Sequence, residues 1–265
     1  MSKLFLVSTG PGDPALITPK AVEAIGASTD LVAYGLYMDL LEGLCEGKIR
    51  HDLPLGEEIG RARLALDLAS SGKTTALLSS GDIGIFAMAT LVFELLDGEI
   101  SGGQSGESNQ TSPWLDVDIE VIPGVSAMQA NASSVGALLG HDFCAISLSD
   151  LLTPWQTIEK RINCAGQGDF VISFYNPVSK KRNWQLNTAR DILLTYRPGN
   201  TPVVLGRNLT RKDHTIVHTT LEQLDSSDVD MFTCVSIGNS ESRHFTNPKT
   251  NNQWVYTPRG YSKKL

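Results

Sequence analysis

At 265 residues, 41% hydrophobic and 19% charged, the chain has an ordinary globular composition and length enough for two modest domains, each able to bury a core. A formal net charge of −7 excludes the broad basic face of a general nucleic-acid binder, so an anionic ligand must meet local cations. No run approaches membrane-spanning length, and Met1-Ser2-Lys3-Leu4 enters a strand-like segment without a signal-peptide stretch; no membrane partner and a cytoplasmic location are expected.

From the N-terminus, strand-length apolar runs alternate with helical periodicity. Residues 4–8 read as strand, 18–27 as helix and 30–34 as strand. Residues 59–71 read as helix, with Ile59, Ala62, Leu66 and Ala69 on one stripe and Gly72 as the stop. Strand 75–79 and helix 85–96 follow. The Gly-, Ser- and Asn-rich run 97–114 has no apolar periodicity and reads as a surface loop. Strand 118–122 and helix 126–139 complete an alternating half that predicts a mainly parallel sheet. The second half has a βαβα stretch over 144–196, then strand-like runs at 202–205, 215–219, 231–237 and 254–257 with little helix between them, which predicts a mixed sheet. The expected fold class is α/β, as two α/β domains, residues 1–120 and 121–265.

Three turns each follow a strand and precede a helix: Gly10-Pro11-Gly12-Asp13, Ser80-Gly81-Asp82 and Pro123-Gly124-Val125-Ser126. In an open α/β sheet such turns surround the ligand crevice, and glycine lets a ligand approach the backbone. The first is no dinucleotide fingerprint, because Asp13-Pro14-Ala15 stand where a further glycine is needed and Pro14 lacks an N–H. Gly72-Lys73-Thr74 resembles the end of a P-loop, but a helix precedes it, a strand follows, and Asp67 takes the first glycine's place. Cys45, Cys144, Cys164 and Cys234 form no C-x-x-C pair and read as buried free thiols. His214 and His218 read as a pair on a sheet surface with no third ligand near in sequence, and no metal is expected.

In order, these motifs resemble the tetrapyrrole methylase family. Its "V-G-x-G-P-G-D-P-x-x-L-T" is similar to Val7 to Thr18, its "S-G-D-P" turn to Ser80 to Ile83, and its "P-G-x-[ST]-[AS]" to Pro123 to Ala127. The run "GHDFCAISLSDLLTPWQTIEKRI" from Gly140 to Ile162, with "FYNPVSKKR" and "DMFTCVSIGNS", resembles the ring-contracting branch of that family. Two departures stand out: Ser8-Thr9 replaces Gly-x before Gly10, and Ile83 with Phe86 replaces the proline and tyrosine of "S-G-D-P-G-I-Y".

The resemblance implies methyl transfer from S-adenosylmethionine to carbon 17 of precorrin-3B or its cobalt form in cobalamin synthesis, with loss of a meso carbon from the ring. It implies a homodimer and a cleft between the two domains that holds cofactor and tetrapyrrole. The alternatives are a methylase for another precorrin position and a non-catalytic cofactor-binding module. The implied cofactor residues are Pro11, Gly12, Ser80, Gly81, Asp82, Ile85, Ser126 and Ala127 in the first half, and Phe174, Tyr175, Asn208 and Thr233 in the second. Helix capping explains Asp82 as well, and core packing explains Phe174. Ring contraction calls for a positioned acid or base, with Asp150 and His141 as candidates. Lys181, Arg182 and Arg207 are the expected partners of substrate carboxylates.

Overall fold

The computed structural model describes residues 2–41, 43–104, 112–179, 182–261 and 264. The chain divides into two compact units, Met1–Ser126 and Ala127–Leu265.

The first unit runs β1 (Lys3–Ser8), α1 (Pro19–Ala27), β2 (Asp30–Ala33), α2 (Gly35–Asp39), β3 (Ile49–Asp52), α3 (Glu58–Ser70), β4 (Thr74–Ser79), α4 (Met88–Gln104) and β5 (Asp118–Ile122). Its sheet has the order β3-β2-β4-β1-β5 and is parallel throughout. Alternation along β1 divides the core: Leu4 and Leu6 pack with Ala62, Leu66 and Val92 of α3 and α4, whereas Val7 packs with Ala21, Ile25 and Met38 of α1 and α2. Helix α1 starts where Thr18 accepts the Ala21 N–H at 3.2 Å and Pro19 takes the first turn.

Several elements differ from expectation. Helix α2 is too short for a periodic signal, and β3 is a mostly exposed edge strand without apolar alternation, paired to β2 through its backbone. Ile59 is 58% exposed, because α3 turns Arg61, Ala62, Ala65, Leu66 and Ala69 inward instead. Helix α4 starts three residues late because Phe86 adopts φ +52°, and it continues to Gln104, into the first part of the expected loop 97–114, of which 105–111 lie outside the described residues. Once nucleated, a helix gains a backbone hydrogen bond for each added residue, and polar side chains facing water do not oppose it.

The second unit runs α5 (Ala127–Val135), β6 (Gly136–Ala137), β7 (Phe143–Ser147), α6 (Trp155–Gln167), β8 (Val171–Tyr175), α7 (Gln185–Leu194), β9 (Pro202–Arg207), β10 (Thr215–Thr220), β11 (Thr233–Ile237), β12 (Arg243–Thr246) and β13 (Gln253–Tyr256). The main sheet, β10-β9-β11-β8-β7, is mixed: β7 and β8 are parallel, and β11 is antiparallel to both β8 and β9. A smaller sheet has the order β12-β13-β6. Helix α5 stops short of the expected 139 because Gly136 turns to φ +132° and pairs with Val255, where a Cβ would lie 2.9 Å from a carbonyl oxygen. Strand β12 escaped sequence reading because all four of its residues are exposed.

One face of the main sheet packs Ile146, Phe174 and Val235 against Ile158, Leu186 and Leu193 of α6 and α7. The other receives α5, whose buried Asn131 donates to the Val204 and Cys234 carbonyls and to Ser236 Oγ at 3.3, 3.3 and 2.9 Å. Gly206 makes that approach possible, since a Cβ there would lie 2.2 Å from Asn131 Oδ1. Of the four thiols only Cys234 is fully buried; Cys164 is exposed, which corrects the expectation for it. His218 stacks on His244 of β12, ring centroids 5.0 Å apart, rather than pairing with His214, which stands just before β10. Among the described residues no helix is long and apolar enough to cross a membrane.

Candidate active site

The three glycine turns lie at the carboxyl ends of β4, β1 and β5, which are neighbours in the sheet. The turn after β1 leads to α1 on one face and the turn after β4 to α4 on the other, an arrangement that opens a crevice at the strand ends. Backbone bonds join the first two turns: Gly10 N–H donates to the Gly81 carbonyl at 3.2 Å, and Gly81 N–H to the Gly10 carbonyl at 2.7 Å. Both glycines have φ near +70°, the left-handed region that a side chain disfavours. Ser80 Oγ adds a 3.3 Å bond to the Gly10 carbonyl.

Asp82 ties the second turn to the third. One carboxylate oxygen accepts the Gly84 N–H at 2.8 Å, and the other accepts the Gly124 N–H at 3.0 Å. Fully buried Ser8 accepts the Ile83 N–H at 2.8 Å through its hydroxyl oxygen. Gly124 must be glycine, because its Cβ would come within 2.5 Å of Ser8 Cβ and 3.0 Å of the Gly81 carbonyl oxygen. In the first turn Asp13 caps the following short 3-10 turn, accepting the Ala15 N–H at 2.8 Å.

In the second unit one end of the main sheet gathers most of the remaining candidates. Register places Ser147 beside Tyr175, and Arg207 beside Thr233, with Asn208 next in the chain. Tyr175 Oη accepts the Met128 N–H at 3.1 Å, which brings the start of α5 to that end. Asp150 follows β7 there. Its carboxylate receives the Gln185 amide at 3.1 Å and stands 3.9 Å from an Arg182 guanidinium nitrogen. Arg182 in turn donates to Ser149 Oγ at 2.9 Å and to the Asn176 carbonyl at 3.1 Å.

Residues 3–225 match the tetrapyrrole (corrin/porphyrin) methylases. The chain belongs to the tetrapyrrole methylase family. This methylase is 40% identical over 259 residues to the precorrin-3B C(17)-methyltransferase of Sinorhizobium sp, covering 98% of this chain and 97% of that one. It is 41% identical over 259 residues to the probable cobalt-factor III C(17)-methyltransferase of Salmonella typhimurium, covering 98% and 99%. The crystal structure of the methyltransferase CobJ aligns with a TM-score of 0.86 at 35% identity, over 97% of this chain and 100% of that chain.

In the methylase, Pro11 and Ser126 are buried within their turns, while Gly12, Ser80, Gly81, Asp82, Ile85 and Ala127 keep part of their surface. Phe174 is a core residue with no exposed surface, in a strand paired on both sides. Asn208, at φ +46°, and Thr233 are largely buried, and Thr233 Oγ1 donates to Asp230 at 2.8 Å.

His141 and Asp150 stand apart: His141 precedes β7 and Asp150 follows it, and a five-residue strand spans about 17 Å. His141 Nδ1 accepts the N–H of neighbouring Asp142 at 2.8 Å. Of the expected partners of substrate carboxylates, Arg182 and Arg207 are described. Arg182 is 8% exposed and serves the loop around Asp150. Arg207 is exposed but donates to Asp230 at 2.6 Å, and this bond raises its pKa. Lys181 lies outside the described residues. The contacts of Ser8, Ser149 and Gln185 join segments 33 to 75 residues apart in sequence, so no local motif marks them as site residues.

Proposed function

We propose that this chain transfers the methyl group of S-adenosylmethionine to carbon 17 of precorrin-3B, or of its cobalt form, with ring contraction, in cobalamin biosynthesis. The observation that carries the reading is the joined set of three turns at adjacent strand ends, in a chain that aligns over nearly its whole length with two C(17)-methyltransferases. Family resemblance adds a homodimer.

The turns suit a cofactor with hydroxyl and ammonium groups. Gly81 has open space where a Cβ would stand, which lets a ligand approach the backbone, and Ser80 Oγ, whose proton goes to the Gly10 carbonyl, keeps accepting capacity for a ligand donor. When bound, S-adenosylmethionine supplies an electrophilic methyl on a sulfonium leaving group, so the protein needs no nucleophile of its own and contributes alignment and exclusion of water. Pro11, Gly12, Ser80, Gly81 and Ile85 would hold the cofactor. Asp82 acts mainly by fixing the turns, since each of its oxygens already accepts a backbone N–H.

Ring contraction requires removal of a hydroxyl proton, and Asp150 is the base that fits. Its carboxylate keeps about a third of its surface while Gln185 and Arg182 hold it from behind. His141 stands at the other end of β7 from this carboxylate. Incubation with S-adenosylmethionine carrying a labelled methyl and with each of the two substrates tests the reading. Label at carbon 17 of a contracted ring is expected from at least one; cofactor binding with transfer to neither leaves a non-catalytic module, and label at another carbon leaves a sibling methylase.

A further inference from the structure

Ser8 has no exposed surface, yet it carries a hydroxyl at the end of a strand whose other buried positions include Leu4, Leu6 and Val7. Its oxygen accepts the N–H of Ile83, which is itself fully buried and lies immediately after Asp82 in the second turn. The bond joins residues 75 positions apart, at 2.8 Å. On its other side Ser8 Cβ occupies the space that Gly124 leaves open, with Gly124 N–H held by Asp82. One serine therefore touches the second and third turns from the strand that carries the first.

We propose that Ser8 is the positioning residue of the cofactor turn, and that Ser8 and Ile83 act as one exchangeable unit whose donor and acceptor must be present together or absent together. This rests on the reading of the turns as the S-adenosylmethionine site. The physical reason is the asymmetry of buried hydrogen bonds: removing one partner strands the other away from water, whereas removing both leaves no polar group unpaired. Glycine at position 8 removes the acceptor, and proline at position 83 removes the donor because proline has no N–H.

A double-mutant cycle on the full chain tests this, read by the affinity for S-adenosylhomocysteine in titration calorimetry and by Tm. Ser8→Gly alone and Ile83→Pro alone are each expected to weaken binding about tenfold, and the double substitution to return it to within about threefold of the unaltered protein. Ser8→Ala keeps the Cβ and removes only the acceptor, so it reads the same tenfold loss even where Ile83→Pro does not fold. A fall in Tm with unchanged affinity in Ser8→Gly and Ser8→Ala would make the serine purely structural and overturn the proposal, as would additive losses in the double variant. An unaltered protein that binds no S-adenosylhomocysteine overturns the reading of the turns themselves, a result distinct from either.

Discussion

At the scale of single residues, motif and mechanism part company at Asp82. The acidic residue of a glycine turn invites a direct role on the cofactor, but both oxygens are spent on backbone N–H groups that join two turns. A carboxylate accepting backbone hydrogen bonds is a strong local fastener. Asp82→Ala is expected to destabilise the chain by about 2 kcal/mol in urea unfolding as well as to weaken cofactor binding. Asp82→Asn keeps one accepting oxygen but turns an NH2 donor toward the other backbone N–H, so it should lose at least half of each. Loss of affinity with unchanged unfolding would instead mean that the carboxylate acts on the cofactor itself. The same logic applies to Arg182: its guanidinium reads as a substrate hook in the sequence, and burial makes it a brace for the segment that carries Asp150.

At the scale of elements, the contact between β10 and β12 has a built-in pH dependence. Burial first, and then the stacked ring of His244, lower the pKa of His218 below its ordinary value of 6.5. A histidine whose folded pKa is depressed binds fewer protons folded than unfolded. Stability is thus complete above about pH 6.5 and declines as the pH falls below it toward the folded value. Urea midpoints should drop between pH 7.5 and 5.5, and His244→Phe, which keeps a stacked ring without a charge, should drop less. Equal losses in the two proteins would show that the pair does not govern the acid limb.

At the scale of the whole molecule, charge is the property most relevant to a polycarboxylate substrate. The chain carries a formal charge of −7, Arg207 is paired with Asp230, and Arg182 is buried. Long-range repulsion then opposes encounter, and salt screens it. Raising ionic strength from 10 to 150 mM is expected to increase kcat/KM by about two- to fivefold. A decrease would reveal a cationic patch strong enough to reverse the global field.

What the sequence determined by itself is the alternation of strands and helices, the change from a parallel to a mixed sheet, and the three glycine turns with their family. These depend on local periodicity and on backbone conformations that glycine permits, both of which are written along the chain. Edge strands β3 and β12 and the far end of α4 were not legible, because backbone pairing and helix propagation need no apolar pattern. Only the tertiary structure separated His141 from Asp150, placed Arg182 and Gln185 behind that carboxylate, and joined Ser8 to Ile83. Each of these is decided by which strand ends lie side by side, and contacts between segments dozens of residues apart leave no spacing in the sequence to read.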